Sequence, residues 1–328
     1  MEADMQLFRL IDRLADGATA ILDERQKRVN RFFDTNKDRA GSYVASPELT
    51  TAVDVALTLG RPLLLTGEPG SGKTLAAFWL AQQLELDDGH FHEYQVRSDS
   101  RARDICYDFD AVSWFRQSQI AQKEVDKSAF LSPRALGIAF GWNGEEDAKP
   151  HVVLIDEIDK APRDFPNDLL LELDQMKFTI AETGRTIGPP RQRPIIVITS
   201  NSERRLPDPF LRRCVTHHIE IKPETVLDIL KARLEAYRGD APANPQDNQL
   251  IEAGGAFWSG LTELEGRFSR KPTVAEFWQW LVLASEFPDD STVNLIETLK
   301  KKRGADIAKL PRINSLFLPA DLGVISSV

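Results

Sequence analysis

The sequence predicts an α/β fold, a parallel sheet sandwiched between helices, followed by a smaller all-helical lid domain. Three observations carry the prediction. Leu63 to Leu65 and Val152 to Ile155 are continuous apolar runs, the pattern of strands buried on both faces. Each run empties into polar chemistry. The first leads into Gly67-Glu68-Pro69-Gly70-Ser71-Gly72-Lys73-Thr74 and the second into Asp156-Glu157, at the strand ends where open parallel sheets hold their ligands. Past Lys222-Pro223-Glu224 the strand signals stop. Helical periodicity then occupies Val226 to Tyr237, Asn248 to Thr262, Val274 to Ala284 and Val293 to Lys302.

Taken in order, residues 3 to 33 repeat apolar positions at helical spacing, with Leu7, Ile11, Leu14, Ala18 and Ile21 among many charges. This reads as a helical extension, packed on the main domain or serving as an adaptor for a partner. Ser46-Pro47-Glu48 supplies an N-cap and a first-turn proline for a helix running to Leu59. Tyr43 and Val44, just ahead of it, stand where they could touch an adenine ring. The turn after the first buried strand has the spacing G-x-x-x-x-G-K-[ST] between a strand and a helix, the signature of a phosphate-binding loop. Gly67, Gly70 and Gly72 let the backbone curl with its N–H groups inward, and the helix starting near Lys73 adds its positive dipole end. Lys73 would reach the β and γ phosphates of ATP, and the Thr74 hydroxyl would take a place on Mg²⁺. The candidate nucleotide-binding residues are therefore Gly67, Gly70, Ser71, Gly72, Lys73 and Thr74.

Phe91 to Val96 reads as a second strand, and residues 99 to 127 as a polar, helix-rich insertion. His90 and His92 share one face of that strand's start, but no third metal ligand lies nearby in the sequence, so a solvated strand end is expected. Leu131 to Gly141 looks helical. Asp156 would orient Mg²⁺, Glu157 would polarise the attacking water, and Asp159 would cap the helix running on through Asn167 to Met176. Residues 178 to 190 alternate around Glu182-Thr183-Gly184-Arg185, the mark of a β-hairpin. A further buried strand at Pro194 to Thr199 ends in Ser200-Asn201, where Asn201 either holds the attacking water, senses the γ phosphate or simply forms a turn. Adjacent arginines, Arg212 and Arg213, precede the strand Val215 to Ile221, on which His217 and His218 point to opposite faces and cannot share a metal.

The composition bounds the function. A chain of 328 residues with 42% hydrophobic content can bury a large core, and a net charge of −9 argues against a broad nucleic-acid surface. Two cysteines are too few for a disulfide framework, and neither a basic-then-apolar leader nor an apolar run of membrane-spanning length is seen. A soluble, cytoplasmic protein is expected.

The phosphate-binding loop, the Asp-Glu strand end, the polar strand end at Asn201, the paired-arginine turn and the helical region follow the order found in AAA+ ATPases. Three stretches resemble the MoxR family in particular: Asp104 to Val112, Leu154 to Pro162, and Thr199 through Leu206-Pro207-Asp208-Pro209-Phe210-Leu211-Arg212-Arg213-Cys214. The resemblance covers about Tyr43 to Leu283. It implies Glu157 as catalytic base, Asn201 as first sensor, Arg212 or Arg213 as a finger reaching a neighbouring subunit, and Arg270 or Lys271 as second sensor. The chain is expected to divide into an N-terminal extension (1–45) and a tail (306–328), both outside the resemblance, flanking a nucleotide-binding domain (46–222) and a helical lid (223–305). The resemblance also implies a hexameric ring that remodels a partner such as a von Willebrand factor A domain protein. Two other readings compete: a nucleic-acid motor or GTP-using restriction subunit, which the acidic charge disfavours, and a nucleotide-gated scaffold, which an intact Glu157 disfavours.

Overall fold

The computed structural model describes residues 40–121, 125–144 and 149–238, with isolated positions at 22, 23 and 26 and between 248 and 278. Residues 45–220 form one compact unit, and the described residues on either side belong to a second.

The first unit is built on five parallel strands. Helix α1 (Pro47–Leu59) starts where Ser46 Oγ accepts from the Leu49 N–H at 3.1 Å and ends at Gly60, which takes the left-handed conformation. The chain then enters β1 (Leu63–Gly67), and α2 (Lys73–Gln83) leaves the turn that follows. Strands β2 (Phe91–Gln95), β5 (Val152–Asp156), β8 (Ile195–Ser200) and β9 (Val215–Ile219) complete a sheet of order β2-β5-β8-β1-β9. The register sets Gln95 opposite Asp156 and Thr66 opposite Ser200. The polar carboxyl ends of four neighbouring strands therefore lie along one edge. Strand β5 is buried at every position, as its apolar run requires.

Two small antiparallel pairs decorate the sheet: β3 (Tyr107–Phe109) with β4 (Leu131–Pro133), and β6 (Phe178–Thr179) with β7 (Thr186–Ile187). The expected helix from Leu131 to Gly141 is corrected here. Residues Leu131–Pro133 pair as a strand and only α4 (Ala135–Ala139) is helical, because Pro133 cannot donate within a helix and the Arg134 N–H is taken by Cys106 O at 3.0 Å. Helix α3 (Ala111–Ile120) lies between β3 and β4 and has no buried residue. The rings of Tyr107 and Phe178 stack with centroids 5.9 Å apart, and Tyr107 Oη accepts from the Ala181 N–H, tying the insertion to the β6–β7 hairpin. Helices α5 (Phe165–Asp168) and α6 (Leu170–Gln175) replace the single helix expected there, and α7 (Asp208–Leu211) carries the fully buried Phe210 into the core beside Ile158, Leu169 and Ile198.

In the second unit, α8 (Pro223–Arg238) buries Val226, Leu230 and Leu234 at helical spacing. Trp258 and Phe277 are also buried, their rings 5.4 Å apart. Most of the N-terminal extension, Arg270, Lys271 and the tail lie outside the described residues. No described helix is long and apolar enough to cross a membrane.

Candidate functional site

The turn after β1 is shaped by what a side chain would strike. A Cβ on Gly67 would lie 2.7 Å from Ile219 O and 2.9 Å from Ser71 Oγ, so only glycine lets the chain pass at its φ of 153°. Gly72, at φ 90°, turns the backbone into α2. Lys73 follows, buried at the helix start, and its Nζ donates to Gly67 O and Glu68 O, both at 2.9 Å. Burial pulls the ammonium below the usual lysine range, against the opposing pull of Asp156, Asp159, Glu157 and Glu68. Ser71 Oγ is buried in the same loop without a hydrogen bond. A buried cation satisfied only by carbonyls and an unpaired hydroxyl beside a helix N-terminus fit an incoming polyphosphate.

Asp156 is the hub of the opposing side. Its Oδ1 accepts from Thr74 Oγ1 at 2.9 Å and from Thr199 Oγ1 at 2.6 Å. Thr199 Oγ1 in turn accepts from the Glu157 N–H at 2.8 Å. Hydroxyl and carboxylate oxygens are the hard donors that Mg²⁺ takes, and Thr74 with Asp156 could hold it.

Glu157 leaves β5 with a left-handed backbone, φ 59° and ψ 51°, which lifts its side chain out of the strand's alternation. Its Oε2 accepts from Gln95 Nε2 at 2.6 Å and from Lys160 Nζ at 2.5 Å, and its Oε1 from Asn201 Nδ2 at 3.2 Å. The contact raises the Lys160 ammonium above its ordinary range. Asp159 does not cap the next helix, as the sequence suggested. It is buried and accepts from the N–H groups of Asn201 and Glu203, both at 3.1 Å, fixing the turn that presents Asn201.

The structure thus gathers Lys73, Thr74, Asp156, Glu157 and Asn201 along one sheet edge. Thr199, Gln95 and Lys160 belong to the same network and escaped the sequence reading. Thr199 had a signal, a hydroxyl in an otherwise apolar strand; Gln95 had only its place at a strand end.

Residues 62–214 match the model of the AAA domain, dynein-related subfamily. That stretch is similar to AAA ATPase domains. The match spans the whole of the network just described. A solved structure from Cytophaga hutchinsonii, described as a candidate ATPase, is 16% identical, with a TM-score of 0.39 over 85% of this chain and 89% of that one. No curated protein matches the chain significantly.

The two arginines lie at the end of α7, at the opposite ends of the strands. Arg213 Nε donates to Asp174 Oδ2 at 2.7 Å and its Nη1 to Pro209 O at 3.0 Å, and both arginines are exposed. His90 and His92 do meet a third imidazole, brought by the neighbouring strand. His92 Nε2 and His151 Nδ1 are 2.9 Å apart, and the His90 ring stacks on His151. Nitrogens that share a hydrogen bond point at each other and not at a common ion, and no group of three or more metal-ligating side chains has metal-site spacing among the described residues. On β9, His218 Nδ1 contacts Thr66 Oγ1 at 3.0 Å while His217 is half-buried.

Proposed function

We propose that the protein is a MoxR-like AAA+ ATPase that assembles into a hexameric ring and couples hydrolysis to remodelling a partner protein in the cytoplasm. The observation that carries the reading is the network joining Thr74, Asp156, Thr199, Glu157 and Asn201 across the phosphate-binding loop. Lys73 exchanges its two carbonyl partners for the β and γ phosphate oxygens. Mg²⁺ held by Thr74 and Asp156 would neutralise charge developing on the phosphates. Glu157 accepts the proton of the attacking water, and Asn201, bonded to its carboxylate, acts as first sensor.

Arg212 or Arg213 serves as the finger to a neighbouring subunit, and Arg270 or Lys271 as second sensor. The resemblance to the MoxR family favours a von Willebrand factor A domain protein as partner, with the N-terminal extension as its adaptor. Glu157→Gln keeps the size of the side chain and removes the base, so ATP should trap it in the assembled state. Light scattering should then give a sixfold multiple of the 36.9 kDa chain mass. A protein that stays monomeric with ATP at every concentration would refute the ring.

A further inference from the structure

The loop that carries Asn201 has little packing of its own. No residue from Asn201 to Arg205 is buried, and the next apolar anchor is Leu206. Ser202 takes a left-handed backbone, φ 61°, a conformation that a residue with a Cβ keeps when its surroundings hold it there. Within the loop the Ser202 N–H donates to Ser200 Oγ at 3.0 Å. The remaining hold comes from the loop after β5. Asp159, only 3% exposed, accepts from the Asn201 N–H through Oδ1 and from the Glu203 N–H through Oδ2, so each carboxylate oxygen takes one donor. With Ser202 left-handed between them, the two N–H groups converge on one anion in the manner of a backbone nest. Arg204 Nη1 adds a contact to Ala161 O at 3.4 Å.

The same two loops meet again at the reacting groups. Asn201 Nδ2 donates to Glu157 Oε1 at 3.2 Å, and Glu157 is itself left-handed at φ 59°. Asp159 stands two residues from the base and one hydrogen bond from the backbone of Asn201, so its carboxylate fixes the offset between them. A misplacement of about 1 Å can cost on the order of 100-fold in rate.

We propose that Asp159 is a positioning residue for hydrolysis, whose buried carboxylate clamps the loop after β8 onto the loop after β5 and so sets the Asn201 amide against the Glu157 carboxylate. The inference rests on the reading of Glu157 as base and Asn201 as first sensor. Asp159 acts through Asn201 and not on the nucleotide. Its effect therefore falls on kcat and not on Mg-ATP affinity, which the phosphate-binding loop supplies.

The test measures kcat by phosphate release and Mg-ATP affinity by calorimetry in the full-length protein, for Asp159→Asn, Asn201→Ala and the double variant. Asparagine keeps the size of the side chain and one of its two acceptors, so Asp159→Asn should lower kcat by about 10- to 100-fold with parental affinity. Asp159→Ala, which keeps no acceptor, should lower kcat further. Residues that act through one group are not additive. In the Asn201→Ala background, Asp159→Asn should cost no more than about twofold further, a coupling that a merely structural residue would not show.

Parental kcat in both Asp159→Asn and Asp159→Ala would overturn the proposal, and so would losses that multiply in the double variant. Loss of Mg-ATP affinity in step with kcat, or failure of both Asp159 variants to fold, would make the carboxylate a structural group and overturn it as well. Parental kcat in Asn201→Ala would take down the sensor reading and the inference with it. A parent chain that hydrolyses no Mg-ATP would instead take down the proposed function from which both descend.

Discussion

The two ends of the central sheet hold different kinds of chemistry. At the carboxyl ends, Thr74, Asp156, Thr199, Glu157 and Asn201 bind one another in a connected network, and Lys73 is held by the carbonyls of its own loop. At the amino ends, Arg61, Arg193 and Arg213 surround a single carboxylate, and Arg212 stands exposed. The first holds its polar groups in mutual contact and the second leaves its charges exposed. A buried network tolerates no missing member, whereas an exposed turn can lose a contact and stay folded.

The largest effect expected from breaking the enclosed end is on nucleotide binding. Lys73→Ala removes the only side-chain cation in the loop and should cost about 2–3 kcal/mol, on the order of 100-fold in the dissociation constant for Mg-ATP. Calorimetry giving parental affinity would remove the phosphate-binding loop from the account.

Thr199→Val comes next. It keeps the shape of the fully buried side chain but deprives Asp156 of a donor and leaves the Glu157 N–H without its acceptor. An unpaired buried group costs about 1–3 kcal/mol, which urea denaturation would read as a lower midpoint, with turnover falling as well. Unchanged stability and unchanged turnover would mean the network is not coupled as drawn.

How much of this was legible in the sequence depends on how far each contact reaches. The phosphate-binding loop is local: eight consecutive residues hold its glycines, lysine and threonine, and the flanking strand and helix are read from apolar spacing. Asp156 and Glu157 were legible for a similar reason, as the end of an apolar run. The rest of the network closes only in three dimensions. Gln95 and Glu157 are 62 residues apart and Thr199 and Glu157 are 42 apart, so their meeting follows from the order β2-β5-β8 and not from any spacing. His151 escaped as a neighbour of His92 for the same cause, being 59 residues away on the adjacent strand. Leu131 to Gly141 was misread because its apolar spacing suits a helix, and only pairing with Tyr107–Phe109 makes its start a strand.

The smallest expected effect concerns the two thiols, Cys106 in the core and Cys214 beside the arginine-bordered cavity. Burial pushes Cys106 up and raises Cys214 to about 12, so little thiolate exists at pH 8 in either case. A thiol reagent should label both promptly in urea and neither promptly in the native protein. Rapid native labelling of Cys214 would show that the arginine-bearing turn opens more than its contacts imply.

The central claim is that Glu157 is the base of a site that binds nucleotide without it. Its most direct test is Glu157→Gln, with Mg-ATP affinity measured by calorimetry and hydrolysis by phosphate release. Affinity should match the parent while kcat falls by about 10² to 10⁴, the range general-base catalysis supplies. Parental turnover with the glutamine in place would contradict the account and move the base elsewhere along the sheet edge.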